Sequence, residues 1–138
     1  MKKYLIIILL LLSTSVLGCL TNAPEEDAGG TVNYIDIPVS EAKIKVDSGE
    51  YFILDVRTLE EYDAGHIANA ILIPSTDISG RLDEVPKDMP ILVYCQTSRR
   101  SAIASQELID NGYADVYNME GGIAAWQNAG YPVEKYIG

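Results

Sequence analysis

Cysteine is almost absent from this chain: of 138 residues only Cys19 and Cys95 carry a thiol. An exported domain framed by disulfides would carry several pairs in its body, so no such framework is expected here. Histidine is scarcer still, with His66 alone, and nothing in the sequence has the clustered spacing of metal ligands. No metal and no other cofactor is expected. Basic residues are also few: 10 Lys and Arg stand against 20 Asp and Glu, a formal net charge of −10. That balance argues against nucleic acid as a partner and would repel anionic lipid head groups. A small anionic substrate would need a local positive site to enter against the overall field.

What is present begins with an address. Lys2 and Lys3 form a positive n-region, Tyr4 to Leu12 an unbroken apolar run, and Ser13 to Gly18 a stretch of mostly small residues before Cys19, the arrangement of an export signal. Val16-Leu17-Gly18-Cys19 also resembles the lipobox of prokaryotic lipoproteins, in which the cysteine is lipidated and becomes the mature N-terminus. The alternative is an uncleaved anchor, but Tyr4 to Leu20 is interrupted by Ser13, Thr14, Ser15 and Gly18 and only borders on spanning length. Thr21 to Thr31, with Pro24, three successive acids and Gly29-Gly30, reads as a flexible spacer. The expected organisation is a signal peptide over 1–18, a linker over 19–32 and one folded domain over 33–138. The domain is expected at the cell membrane, lipid-anchored and facing outside the cytoplasm. Loss of Lys2 and Lys3 leaves 8 basic residues against 20 acidic ones, or −12. With Cys19 lipidated, Cys95 is the sole thiol of the body, which flags it for chemistry.

The body alternates strand-like and helix-like stretches. Tyr34 to Ile37 alternates like a short edge strand, and Ser40 is placed to cap a helix carrying Ala42, Ile44 and Val46. Tyr51 to Leu54 and Ile91 to Tyr94 are nearly continuous apolar runs, the mark of strands covered on both faces. Between them lie a short helix at Thr58 to Tyr62, a turn at Gly65-His66-Ile67, a strand at Ala70 to Ile73 and an amphipathic segment marked by Ile78, Leu82 and Val85. A helix over Arg100 to Asn111, with Ala102, Ile103, Leu108 and Ile109 apolar, is capped by Gly112. A last strand, Asp115 to Asn118, and a short helix, Ile123 to Asn128, complete the pattern. Such alternation implies an α/β fold with a parallel sheet, helices on both faces and a site beyond the C-terminal strand ends. Cys95 lies at one of those ends. There it faces the free N–H groups and positive dipole end of the following helix, which favour the thiolate. Arg99 and Arg100 argue against an inert buried cysteine.

Three ordered blocks resemble the rhodanese-like family in its single-domain form. They are Asp55-Val56-Arg57 with Glu61-Tyr62, Gly65-His66-Ile67 and Ala70 to Pro74; Tyr94-Cys95 through Arg100-Ser101; and Gly121-Gly122, Ala125-Trp126 and Ala129 to Val133. The resemblance implies a parallel sheet of about five strands between helices. It also implies sulfurtransfer, in which the Cys95 thiolate takes the outer sulfur of a donor such as thiosulfate and passes it, as a persulfide, to a thiol or cyanide. The partners implied are a small anionic sulfur donor and a thiol acceptor. Arg100, with Arg99 as helper, would bind the donor's oxygens, and Gln96, Thr97, Ser98 and Ser101 complete the loop. The family often has glycine where Ser98 stands and arginine where Gln96 stands. Serine is strained if that position needs positive φ, and Gln96 lacks a charge that would attract a donor.

Two other classes compete with this reading. One is a non-enzymatic sulfur or anion carrier, or a rhodanese module that docks a protein. The other is a cysteine phosphatase or arsenate reductase, disfavoured because four residues separate Cys95 from Arg100 and those enzymes use five. Asp55 and Arg57 read as a structural pair behind the strand end, and His66 as part of a turn before a catalytic partner. Trp126 reads as core, although Gly121 and Gly122 could approach the site. Asp77, Asp83, Glu84 and Asp88 read as a solvated face.

Overall fold

A computed structural model of the chain describes residues 33–137. The signal peptide, Cys19 and the linker expected from the sequence lie outside the described residues. Five strands, β1 (Ile35–Ile37), β2 (Phe52–Asp55), β3 (Ile71–Leu72), β4 (Ile91–Tyr94) and β5 (Val116–Met119), form one parallel sheet in the order β1-β5-β4-β2-β3. Four helices accompany them: α1 (Val39–Ser48), α2 (Leu59–Ala64), α3 (Arg99–Asp110) and α4 (Gly122–Asn128). Two 3₁₀ turns, Ile78–Gly80 and Leu82–Glu84, occupy the amphipathic segment and bury Ile78. Among the described residues no helix is long and apolar enough to cross a membrane.

Successive side chains of β4 serve opposite faces of the sheet, as the period of a strand requires. Ile91, Val93 and Cys95 join a core with Leu54, Ala104 and Leu108, on the side of α3. Leu92 and Tyr94 join a second core with Ala42, Ile123 and Trp126, on the side of α1 and α4. A strand buried on both faces has no polar side, which is why β2 and β4 read as unbroken apolar runs. The sheet also dictates where a site belongs. From β2 the chain moves outward to β3, then returns to the far side of β2 to lay down β4 and continues to β5. That reversal opens a crevice beyond the C-terminal ends of β2 and β4, where Asp55 and Cys95 emerge.

Several boundaries differ from the sequence reading. Ser40 does not cap α1; the helix starts at Val39 because the Pro38 carbonyl accepts the N–H groups of both Glu41 and Ala42. Helix α3 starts one residue early, at Arg99, and buries Ser101, Ala104, Ser105 and Leu108 while Ile103 is 64% exposed. Burial follows the helical face toward the sheet and passes over the apolar Ile103. The strand expected over Ala70 to Ile73 contracts to Ile71–Leu72, since the Ala70 N–H closes a turn onto Ile67. Gly112 does end α3, at φ +87°, with its N–H on the Ile109 carbonyl. Asp77, Asp83, Glu84 and Asp88 are all exposed.

Candidate active site

Cys95 leaves β4 and is only 1% exposed, at the floor of a tight loop that runs into α3. Two carbonyls of that loop are turned away from the sulfur. The Cys95 carbonyl accepts the Ile123 N–H at 2.9 Å, and the Gln96 carbonyl accepts the Ala124 N–H at 3.2 Å. Each peptide unit carries its N–H opposite its C=O, so anchoring the Gln96 carbonyl on α4 turns the Thr97 N–H inward. The first turn of α4 therefore shapes the cradle from behind. Gly122 makes the approach possible: a Cβ there would lie 2.5 Å from the Cys95 carbonyl oxygen and from Gln96 backbone atoms, and the residue sits at φ +60°.

The Ser98 N–H donates to the Cys95 Sγ at 3.2 Å, and the Ser101 hydroxyl lies 3.4 Å from the same atom. Ser98 holds φ +120°, the left-handed side that serine rarely adopts. Its Oγ accepts the Gly121 N–H at 2.6 Å, which ties the cysteine loop to the turn between β5 and α4. Ser101 is fully buried, and its Oγ also lies 2.9 Å from the Ser98 carbonyl. One hydroxyl hydrogen cannot serve both acceptors. A charged thiolate is a stronger acceptor than a neutral thiol, so ionisation of Cys95 favours the bond to sulfur over the one to the carbonyl. Burial pushes the Cys95 thiol up, but the Ser101 hydroxyl and the N–H groups of Ser101, Ser98 and Thr97 outweigh it, leaving the thiol below its ordinary value.

Arg100 projects from the first turn of α3 into an ion pair with Glu61 of α2, with Nη1 2.8 Å and Nη2 2.7 Å from the two carboxylate oxygens. This fork-to-fork pairing fixes the guanidinium beside the thiol. Arg100 is held above its ordinary value, first by Glu61 and, after the opposing effect of burial, by Cys95. Glu61 is itself placed by a capping box, accepting the Thr58 N–H while Thr58 Oγ1 accepts the Glu61 N–H. Arg99 and Thr97 are exposed and Gln96 is half-buried. Gln96 faces a cleft of about 230 Å³ that Arg57, Glu61, Ile123 and Gln127 also line. A larger cleft of about 340 Å³, between Leu82 and Tyr113, contains no loop residue.

Beneath the cleft Asp55 and Arg57 form a buried pair, with Nη2 of Arg57 2.6 Å from Asp55 Oδ2 and 2.8 Å from the Gly65 carbonyl. The pair fixes the β2 end and the α2 exit; removing one member of such a buried pair typically costs about 3 to 5 kcal/mol. His66 stacks on Tyr62 at 3.8 Å, places Nδ1 2.9 Å from the Tyr62 carbonyl and bridges by its backbone to Glu134. Trp126 is buried, with its indole N–H on the Pro132 carbonyl. Among the described residues no cluster of three metal-ligating side chains occurs.

The loop thus brings together Cys95, Thr97, Ser98, Arg100 and Ser101, leaves Arg99 pointing to solvent and sets Gln96 on the cleft side. Two features of the site leave little trace in the sequence. Glu61 as the partner of Arg100 was signalled only by its capping-box spacing from Thr58. The acceptor role of Ser98 toward Gly121 had no signal, since it joins residues 23 positions apart.

The rhodanese-like domain family matches residues 38–129. A protein named sulfurtransferase from Allochromatium vinosum is 35% identical over 102 residues, covering 74% of this chain and 94% of that protein. The thiosulfate sulfurtransferase GlpE of Vibrio cholerae is 26% identical over 102 residues, covering 74% and 96%. The crystal structure of a rhodanese-related protein from Thermoplasma volcanium superposes with a TM-score of 0.70 at 32% identity, over 75% of this chain and all of that one. A rhodanese-like domain protein from Staphylococcus aureus gives 0.66 at 37% identity, covering 74% and 98%. Since the match from Pro38 to Ala129 takes in β2 to β5 and the whole cysteine loop, the chain belongs to the rhodanese-like sulfurtransferase family.

Proposed function

We propose that the protein moves a sulfane sulfur from a donor such as thiosulfate to a thiol or cyanide acceptor, through a persulfide on Cys95. One observation carries the reading: a buried thiol surrounded by N–H and O–H donors, with its ionisation favoured and no neighbouring base required. The Cys95 thiolate attacks the outer sulfur of thiosulfate, the donor's S–S bond breaks, and sulfite departs with the electron pair. The terminal sulfur then carries the negative charge under the loop N–H groups, whose fixed dipoles stabilise it. An acceptor thiolate attacks that sulfur, takes it and restores the Cys95 thiolate. Incubation with thiosulfate, and in parallel with an aromatic thiosulfonate, followed by mass analysis of the Cys95 peptide tests the reading: one added sulfur, absent from Cys95→Ser, is expected, and its absence with both donors would overturn it.

The same proposal includes location. Residues 1–18 act as an export signal, Cys19 is the lipidated N-terminus, and residues 19–32 tether the domain on the outer side of the membrane. The charge pattern of the first segment and the lipobox-like run before Cys19 support this. Mass analysis of the mature protein should find a lipid on an N-terminal Cys19; a chain that keeps residues 1–18, or begins without the lipid, would sink the lipid anchor.

A further inference from the structure

Glu61 bears on which donor the site accepts. Its carboxylate occupies the outer fork of Arg100, the guanidinium that would otherwise meet the donor's oxygens. The cation that lines the neighbouring cleft, Arg57, is neutralised by Asp55. Gln96 stands in the loop without a charge, Arg99 is exposed to water that screens it, and the remaining cleft wall is uncharged, with the Gln96 and Gln127 carboxamides beside Ile123. The cleft wall itself carries one cation, Arg57, and one anion, Glu61, and their ion-pair partners Asp55 and Arg100 leave the group of four formally neutral. The Cys95 thiolate beside Arg100 adds one negative charge, and the whole chain carries −10.

Resting on the sulfurtransferase reading, we propose that Glu61 is a specificity-determining residue that selects sulfane donors of low charge. The class that fits is a monoanion with an uncharged body able to meet carboxamide and apolar groups, rather than a small dianion. An aromatic thiosulfonate represents it. The Cys95 thiolate attacks its terminal sulfur, the S–S bond breaks, and a sulfinate leaves with the electron pair, so charge and electrons balance without another reactant.

The test compares sulfuration of Cys95 by benzenethiosulfonate and by thiosulfate, each rate divided by that donor's rate with free cysteine at the same pH. Cys95 alkylation by neutral iodoacetamide and anionic iodoacetate is measured beside it. Wild type should favour the thiosulfonate. Glu61→Gln, which keeps a side chain able to complete the capping box, should raise the thiosulfate rate relative to the thiosulfonate about tenfold. That is the effect of one unit charge roughly 10 Å away at an effective dielectric of about 20. The same substitution should shift the alkylation ratio toward iodoacetate. Unchanged ratios, or an equal slowing of all four reagents, would overturn the proposal and leave Glu61 as a prop for Arg100. Failure of both donors with a shifted alkylation ratio would instead remove the sulfurtransferase reading while the charge filter stood.

Discussion

The hydroxyl oxygen of Ser98 accepts the backbone N–H of Gly121 at 2.6 Å, and it does so from a backbone turned to φ +120°. A side chain at that φ stores strain of about 1 to 3 kcal/mol. The bond to Gly121 offsets part of it and sets the position of the N–H that Ser98 directs at the Cys95 sulfur.

Opposite responses to alanine and glycine at position 98 follow. Ser98→Ala keeps the strain, loses the bond and leaves a half-buried N–H without an acceptor, at a cost of about 1 to 2 kcal/mol. Ser98→Gly loses the same bond but releases the strain, so its stability should match or exceed that of the parent. Urea midpoints at constant m-value separate the two; an alanine variant as stable as the glycine variant would contradict the strain.

Ser101 should govern the pH at which Cys95 becomes reactive. Its hydroxyl is the foremost group drawing the thiol downward against burial. The rate of Cys95 alkylation, resolved from Cys19 by peptide mapping, should therefore rise at a pH below the ordinary thiol range of about 8.5. In Ser101→Ala the rise should move upward, because burial remains and a donor is lost. An unmoved profile would mean the backbone N–H groups alone set the ionisation.

The fold was legible wherever burial is two-sided. Ile91 to Tyr94 and Tyr51 to Leu54 announce central strands, and Cys95 at the end of one announces the sheet's functional edge. Ile103 misled because apolar character alone does not say which face of α3 meets the sheet. Ser40 misled because a neighbouring proline carbonyl can start a helix without a side-chain cap. The nucleophile and its arginine were readable within one short segment. What completes the site comes from elsewhere in the chain: Glu61 from α2, and Gly121 and Gly122 from the turn after β5, whose approach to the site was expected from the sequence but not the contacts they make there. Their roles depend on contacts that only the folded sheet creates.

Glu61 ties the site to acid stability. Hydrogen bonds from Arg100, opposed by burial and helped by Thr58, hold its carboxyl at about 2, below the ordinary 4.5. A carboxyl depressed in the folded state contributes stability that is full above 4.5 and lost as pH falls through about 2. The stability gap between the parent and Glu61→Gln should stay constant above that window and close within it. Chemical denaturation across the acid range measures this, and a gap that persists undiminished to the bottom of the window would show that charge is not what Glu61 contributes.

Gly122 offers the sharpest steric test of how α4 shapes the cradle. Alanine there would need φ +60° and a Cβ 2.5 Å from backbone atoms of both Cys95 and Gln96. Backbone cannot step aside as a flexible side chain would, so the cysteine loop or α4 must move, at about 2 to 3 kcal/mol or more. If the loop moves, the Ile123 N–H bond to the Cys95 carbonyl and the Ala124 N–H bond to the Gln96 carbonyl are lost. The Thr97 N–H would then turn out of the cradle. Gly122→Ala should therefore raise the pH of Cys95 alkylation as well as lower the urea midpoint. Loss of stability with an unchanged alkylation profile would place the movement in α4 alone and remove Gly122 from the control of the thiolate.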